Sequence, residues 1–328
     1  MALWTLFALL ATATLFAIVY WFFNGKTFAS ADNLAEVAKA AVTSIGVMAG
    51  GAGAAVALRR QKIQEDQAQL SKDALFSDRY RQAIDQLGSE STKVQLGGVY
   101  ALERLLADNV DRDDAQAVVN ALTAHVRSPR REEGKVHQEP LEVVVAVEAL
   151  DRIKRRRPYV EVDLRRANLA GLHLAGLRLA GFLLVGTNFE GANLRGARLA
   201  GAQLSAANLQ NADLFGADLR EANLSEASLV GAFLAEASLT EANLTFADLT
   251  RVTLYDADLS RAVIYDSDLT GAILMGATLL EADLSRVCLS GASISGVRAD
   301  HDLQEWTMTT QRTPDHFPPA KVPALVPA

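Results

Sequence analysis

The chain has 328 residues, half of them apolar and only 6% aromatic, and carries a formal net charge of −7. Ala and Leu therefore supply most of its interior, and the single cysteine, Cys288, excludes an internal disulfide framework or a cysteine-rich zinc site. The charge is uneven: Glu161 to Asp300 holds 17 acidic residues against 10 basic, whereas residues 1–159 are almost balanced.

Ala2 to Phe23 has no charged residue over 22 positions, about 33 Å of helix, and ends in the aromatic belt Tyr20, Trp21, Phe22 and Phe23. A transmembrane helix over 2–23 is expected. A second uncharged run, Ala40 to Leu58, is richer in Gly and Ala and is expected as a second span over 40–58, making residues 1–60 a hairpin in the lipid bilayer. Gly46 and Gly50 form a G-x-x-x-G step where backbones can approach closely, either against the first span or against another copy in a homo-oligomer. The abundance of Gly and Ala explains the same spacing without any packing role. Arg59, Arg60 and Lys62 follow the second run, while Asp32 and Glu36 offset Lys26 and Lys39 in the connecting loop. By the positive-inside rule the rest of the chain is expected in the cytoplasm, at the inner (plasma) membrane with two passes. Ala29-Ser30-Ala31 reads alternatively as a signal-peptidase site, but the start MALW lacks a positive residue.

From residue 61 to 158 apolar residues fall at helical spacing. Val94, Leu96, Val99, Leu102, Leu105 and Leu106 make one stripe, Asp111, Asp113 and Asp114 are cap candidates for the next segment, and LEVVVAVEALDRIKRR makes another helix. A small cytoplasmic all-α domain of about four short helices is expected. Arg152, Lys154, Arg155, Arg156 and Arg157 form the densest positive cluster. Cations in a last helical turn complement the macrodipole; the same residues are candidates for contact with anionic lipid. No base-reading motif accompanies them, so nucleic acid is not an expected partner.

From Leu164 to Ile294 every fifth residue is Leu, apart from Phe189, Ile264 and Ile294, which makes 27 unbroken repeats. Ala dominates two positions earlier. A period of five fits neither a helix nor a strand; it fits a coil that turns a corner after each unit and always points one large and one small residue inward. Four sides close a square, and squares stack at about 4.8 Å, giving a rod roughly 30 Å long over 160–300. Gly stands two places after the central residue from Gly171 to Gly201, as a type II turn wants. Glu221, Glu226, Glu236, Glu241, Phe246, Arg251 and Asp256 hold that place later, and different turns are expected there.

The repeats resemble the pentapeptide-repeat family, A-[DN]-L-x-x, whose fold is a right-handed quadrilateral β-helix. DRYRQAIDQLGSESTKVQLGGVYALERLLAD from Asp78 to Asp108, with RRRP before the repeats, is similar to membrane-anchored pentapeptide-repeat proteins of actinobacteria. The resemblance implies a mainly β solenoid behind a small all-α domain and two transmembrane helices, and no reaction.

Residues 20 apart stack in such a coil, so one face gathers Asp213, Phe215, Phe233, Tyr255, Ile273 and Met275, and the opposite face Leu183, Val185, Phe246, Val263 and Tyr265. Either is a candidate docking surface, although scattered apolar residues are also tolerated on a repeat surface. An adjoining face carries Asp218, Glu221, Glu241, Asp258 and Glu281 interleaved with Arg198, Arg220 and Arg261. Quinolone-resistance members of the family resemble DNA and bind gyrase, which implies a second reading as a topoisomerase-binding DNA mimic; the arginines interrupt the negative surface that mimicry needs. No metal-ligand spacing, phosphate loop or Rossmann pattern is present, so no catalysis and no cofactor are expected. Cys288, just before a central Leu, is expected to face outward as an ordinary surface residue. Residues 301–328, with five prolines, are expected to cap the last coil before a disordered tail. The combined expectation is a non-enzymatic, membrane-anchored scaffold whose rod meets an unknown protein partner.

Overall fold

A computed structural model describes residues 31–107, 111–128 and 140–300. Contacts divide the chain into two units, Met1–Ser77 and Asp78–Ala328. The span expected over 2–23 and the tail 301–328 lie outside the described residues.

Helix α1, Ala31–Leu87, is continuous over 57 residues, about 85 Å at the α-helical rise. It passes residue 60 without a break, although the sequence turns there from apolar to charged. The run expected as a second span, Ala40 to Leu58, is an inner stretch of this helix. Among the described residues no helix is long and apolar enough to cross a membrane, so the hairpin is not part of the described fold. Glycines at 46, 50, 51 and 53 add length to the run without adding apolar surface, and each weakens a helix by roughly 1 kcal/mol relative to Ala.

Three shorter helices follow: α2 (Thr92–Leu105), α3 (Arg112–Arg127) and α4 (Leu141–Arg156). Asp111 caps α3 by accepting the Asp114 amide at 2.7 Å. Helix α4 packs on both α2 and α3. Val99 and Leu102, Val118 and Leu122, and Val147 and Leu150, one pair from each helix, are fully buried. Gly98 lets α2 approach the end of α1 at backbone distance: a Cβ there would stand 2.9 Å from both the Ala83 carbonyl oxygen and the Leu87 nitrogen.

Beyond α4 the chain enters the repeats. Positions 20 apart pair in parallel, from Asp163 with Leu183 to Ile273 with Ser293, and finally strand β1 (Thr278–Leu279) with β2 (Arg298–Ala299). Four repeats therefore make one turn of the coil. Each central residue and the residue two places later donate their amides to the following coil, as Leu164 to the Leu183 carbonyl at 2.9 Å and Arg166 to Val185 at 3.0 Å; the residue before the centre donates backward, as Leu183 to Val162 at 3.0 Å. Central Leu and the Ala two places before it are buried along the coil as far as Ala277, while Ala282 and Ala292 at its end are half-buried. Where Thr187 and Ser267 replace that Ala, their buried hydroxyls donate to the carbonyls of Leu164 (2.8 Å) and Leu244 (2.6 Å) in the coil before.

The corners do not change as the sequence predicts. Two places after the centre, φ is positive in all 27 repeats: +69° at Gly171 and +64° at Gly201, but also +57° at Glu221, +59° at Phe246 and +53° at Asp256. With the turn closed by bonds such as Ala167 N–H to Leu164 O at 3.0 Å, and with no positive φ at the position before, the corner is of the type II kind throughout. The ladder on both sides holds the corner, so the side chain there does not choose the turn.

Candidate interaction surfaces

The column of paired positions His173, Asn193, Asp213, Phe233, Thr253, Ile273 and Ser293 defines one face. Two residues further along the same sides stand Arg195, Phe215, Ala235, Tyr255 and Met275, tied in order by bonds such as the Gly196 amide to the Phe215 carbonyl and the Asp256 amide to the Met275 carbonyl. Phe215, Phe233, Tyr255, Ile273 and Met275 thus lie on four successive coils, about 14 Å from first to last at the strand spacing. Their side chains remain accessible: Phe233 is 40% exposed, Tyr255 47% and Met275 39%. The Phe215 and Phe233 rings stack 6.1 Å apart, and the Arg195 guanidinium lies 4.3 Å from the Phe215 centroid. Arg195 also pairs with Asp213 at 3.2 Å, so a paired charge marks one end of the column. The stacking of Arg195 is visible in sequence only as the 20-residue offset between it and Phe215.

The opposite face is divided. Leu183 and Val263 share a column, but Gln203, Asn223 and Asn243 stand between them. Leu183 and Val185 form one small patch, and Phe246, Val263 and Tyr265 another, with the Phe246 and Tyr265 rings edge to face at 5.9 Å. Arg286 sits 5.7 Å from the Tyr265 centroid and pairs with Asp266 at 2.9 Å.

Three carboxylates of the acidic face, those of Asp218, Glu241 and Glu281, are paired with arginine in place. Arg220 binds Asp218 at 2.7 Å, and Arg261 bridges Glu241 at 3.3 Å and Glu281 at 3.0 Å from coils on either side. The Arg220 hydrogen bond holds the Asp218 carboxyl below the usual carboxylate range. On the face opposite the Asp218 column, Asn168, Asn188 and Asn208 form an amide ladder, with bonds of 3.3 and 3.0 Å between coils.

Most of the basic run at the end of α4 is occupied within the protein. Arg152 makes a forked pair with Glu103 of α2 at 2.8 and 2.9 Å. Lys154 donates to the Pro158 and Val160 carbonyls at 3.0 and 2.6 Å, Arg155 pairs with Asp151, and Arg157 donates to the Leu106 carbonyl at 2.9 Å. Arg156 is exposed. Across the same join, Gln116 of α3 exchanges hydrogen bonds with the backbone of Glu161 at 2.8 and 2.9 Å. Arg165 and Arg127 flank Asp163 at 2.8 and 3.4 Å, and the Arg165 hydrogen bond is the main reason its pKa falls to about 2. These contacts fasten the bundle to the first coil. Gly46 and Gly50 lie within α1.

Cys288 is half-buried near the end of the rod, its sulfur 3.3 Å from the Thr270 hydroxyl. Among the described residues no group of His, Cys, Asp and Glu is arranged to hold a metal.

Residues 183–220, 217–256 and 257–296 match the family model described as pentapeptide repeats. Solved structures with similar sequence include HetL, a pentapeptide-repeat protein involved in heterocyst differentiation regulation in the cyanobacterium Nostoc sp. strain PCC 7120. It is 26% identical over 42% of this chain and 81% of its own, with a TM-score of 0.23. The pentapeptide-repeat protein alr5209 from the same cyanobacterium is 33% identical over 35% of this chain and 81% of its own, with a TM-score of 0.13. Full-length QnrB1, a plasmid-mediated fluoroquinolone resistance protein, is 19% identical over 45% of this chain and 88% of its own, with a TM-score of 0.24. Superpositions at that level say nothing about function. No curated protein matches the chain. The matched repeats imply a right-handed β-helix, and through them the chain belongs to the pentapeptide-repeat family.

Proposed function

We propose that the protein is a non-enzymatic scaffold that presents the Phe215, Phe233, Tyr255, Ile273 and Met275 column to a protein partner. The observation that carries this reading is the succession of accessible apolar and aromatic side chains over four coils, where the other exposed apolar residues of the rod form smaller patches separated by Gln203, Asn223 and Asn243. A rod held by a backbone ladder loses little further entropy on binding, and aromatic anchors are the usual energetic centres of such contacts. A photo-cross-linking amino acid at position 255 in cells tests it. A discrete adduct that disappears with Phe233→Asp, and persists with Asn223→Asp on the opposite face, supports the column; an adduct indifferent to Phe233→Asp sinks it.

We infer further that the apolar run 2–23 attaches the chain to a membrane with the rod in the cytoplasm. The support is sequence alone: the run is charge-free, and Lys26, Arg59, Arg60 and Lys62 follow it. Cys288 provides the check, because an impermeant maleimide should label it in lysate and not in intact cells. Equal labelling in both contradicts this topology.

DNA mimicry draws no support from the acidic face, where Arg220 and Arg261 pair with its carboxylates. Inhibition of gyrase supercoiling by the purified protein would reverse that judgement.

A further inference from the structure

The two corners that bound the apolar column carry opposite charges. Arg251 holds the corner before the Tyr255 side and Asp256 the corner after it; Glu236 holds the second corner one coil earlier. The ladder fixes that order, with the Glu236 amide on the Tyr255 carbonyl and the Asp256 amide on the Met275 carbonyl. All three side chains are exposed.

Elsewhere in the rod Arg195, Arg261 and Arg286 each pair with a carboxylate on a neighbouring coil. Arg251 has only Gly231 and Gly271 at its corner on either side. Among the described residues no ion pair joins Arg251, Glu236 or Asp256 to another group. One edge of the column is thus basic, and the other holds two carboxylates on successive coils, where like charges repel.

We propose that the partner of the column is a second copy of this chain, packed face to face with the two rods parallel. This rests on the reading of that column as an interface and identifies its occupant. Identical faces meet about a two-fold axis in one of two ways. With the axis along the rods, each edge meets the opposite edge of the other copy. Arg251 then faces Glu236 and Asp256 of the second copy, and symmetry repeats the contact. With the axis across the rods, each edge meets its own kind, and Glu236 faces Asp256 with no cation between them.

The heights agree with the parallel arrangement. Twenty residues climb about 4.8 Å, so Arg251 lies about 1 Å from the level of Asp256 and about 4 Å from that of Glu236, between the two carboxylates. Faces about 10 Å apart leave a gap that an arginine and a carboxylate side chain span together. The same axis sets Phe233 opposite Ala235, Thr253 opposite Tyr255 and Ile273 opposite Met275, so a large side chain meets a small one in the first two of these coils. The area is modest: one side over these coils covers roughly 300 Å² per copy, against about 800 Å² in a standard interface. The pairing is therefore weak and reversible, and a covalent trap reads it better than a mass measured at dilution.

Two differently tagged copies of the full chain, each with a photo-cross-linking amino acid at position 255, test the pairing in cells. The adduct should carry both tags and run at twice the 35.2 kDa of the chain. Arg251→Glu or Asp256→Arg should each lower its yield at least about fivefold by placing like charges across the contact, and the two together should restore most of it. Glu, Arg and Asp already occupy such corners, with φ of +57° at Glu221 and Arg251 and +53° at Asp256, so the exchanges keep the coil, as circular dichroism would verify. Yields unmoved by either exchange, or a rise with Asp256→Arg alone, overturn the parallel pairing. An adduct that depends on Phe233 but carries a single tag overturns the second copy and leaves the column as an interface for another protein. The lack of any Phe233-dependent adduct overturns both readings.

Discussion

In the rod a residue's surroundings follow from its place within five; in the bundle they follow from its individual partner. Leu194, Leu214 and Leu234 are interchangeable central residues, each buried to the same degree above and below a copy of itself. Gly98, Arg152 and Lys154 have no such equivalents: one allows a backbone approach, one makes a forked pair with Glu103, and one binds the carbonyls beyond its own helix. Damage to the rod should therefore be graded and local, as in stacked repeats with nearest-neighbour coupling. Damage to the bundle should spread through the whole packed unit.

Leu214→Ala gives the largest contrast. Removing a fully buried Leu costs about 2–5 kcal/mol, and the loss should be confined to the coils around residues 194–234. Hydrogen exchange should accelerate there while the amides of Leu122 and Leu150 in the bundle keep their protection. Equal acceleration in both regions would show that the rod and bundle unfold as one. Gly98→Ala should cost about 1–3 kcal/mol because the new methyl meets backbone rather than a movable side chain. Its effect should reach α1, α2 and α4 together in a denaturant melt, and a change limited to α2 would contradict the cooperative bundle.

The join can be separated by pH. The pKa of Asp163 falls from 3.8 to about 2, chiefly through the Arg165 hydrogen bond and with help from Arg127 of α3. A carboxylate depressed in the folded state stabilises it above the unfolded pKa, and that contribution is lost as pH falls from about 4 through about 2. Asp163→Asn should therefore destabilise the protein by roughly 1 kcal/mol at pH 7, after allowance for partial exposure, and have little effect near pH 2. A penalty that persists unchanged at pH 2 would mean that shape, rather than charge, fastens the two regions.

Much of this contrast is legible in sequence, for reasons that differ between the two parts. Leu and Ala at fixed places specify the coil, and the offset of 20 brings Phe215 beside Phe233 without further information. The bundle's helices are legible from their apolar stripes. The employment of Arg152, Arg155 and Arg157 is not, since Glu103, Asp151 and Leu106 reach them only through packing of α2 on α4. The division of the opposite face is legible too, because Gln203, Asn223 and Asn243 fall at the 20-residue offset between Leu183 and Val263. The corners mislead for another reason. A local preference for Gly at positive φ is worth about 1 kcal/mol, whereas an inner corner such as Glu221 is held by backbone hydrogen bonds to the neighbouring coils, and tertiary structure prevails.

That last conflict leaves the smallest measurable effect and the cleanest separation of ladder from side chain. Glu226 has φ +60° and an exposed side chain, and among the described residues it makes no ion pair. Its left-handed backbone costs about 1–2 kcal/mol relative to an unstrained residue. Glu226→Gly removes that strain but adds freedom to the unfolded chain, which returns about 0.5–1 kcal/mol of the gain. The net should be a stabilisation of roughly 0.5 kcal/mol, visible as a raised denaturant midpoint at unchanged slope. Gly201 provides the reverse experiment, because its φ is +64° and a Cβ there would meet nothing within 4 Å. Gly201→Ala should thus cost about 1 kcal/mol through backbone conformation alone. If both substitutions destabilise, the corner side chain contributes something beyond strain, and the uniform corner would have to be explained by contacts rather than by the ladder.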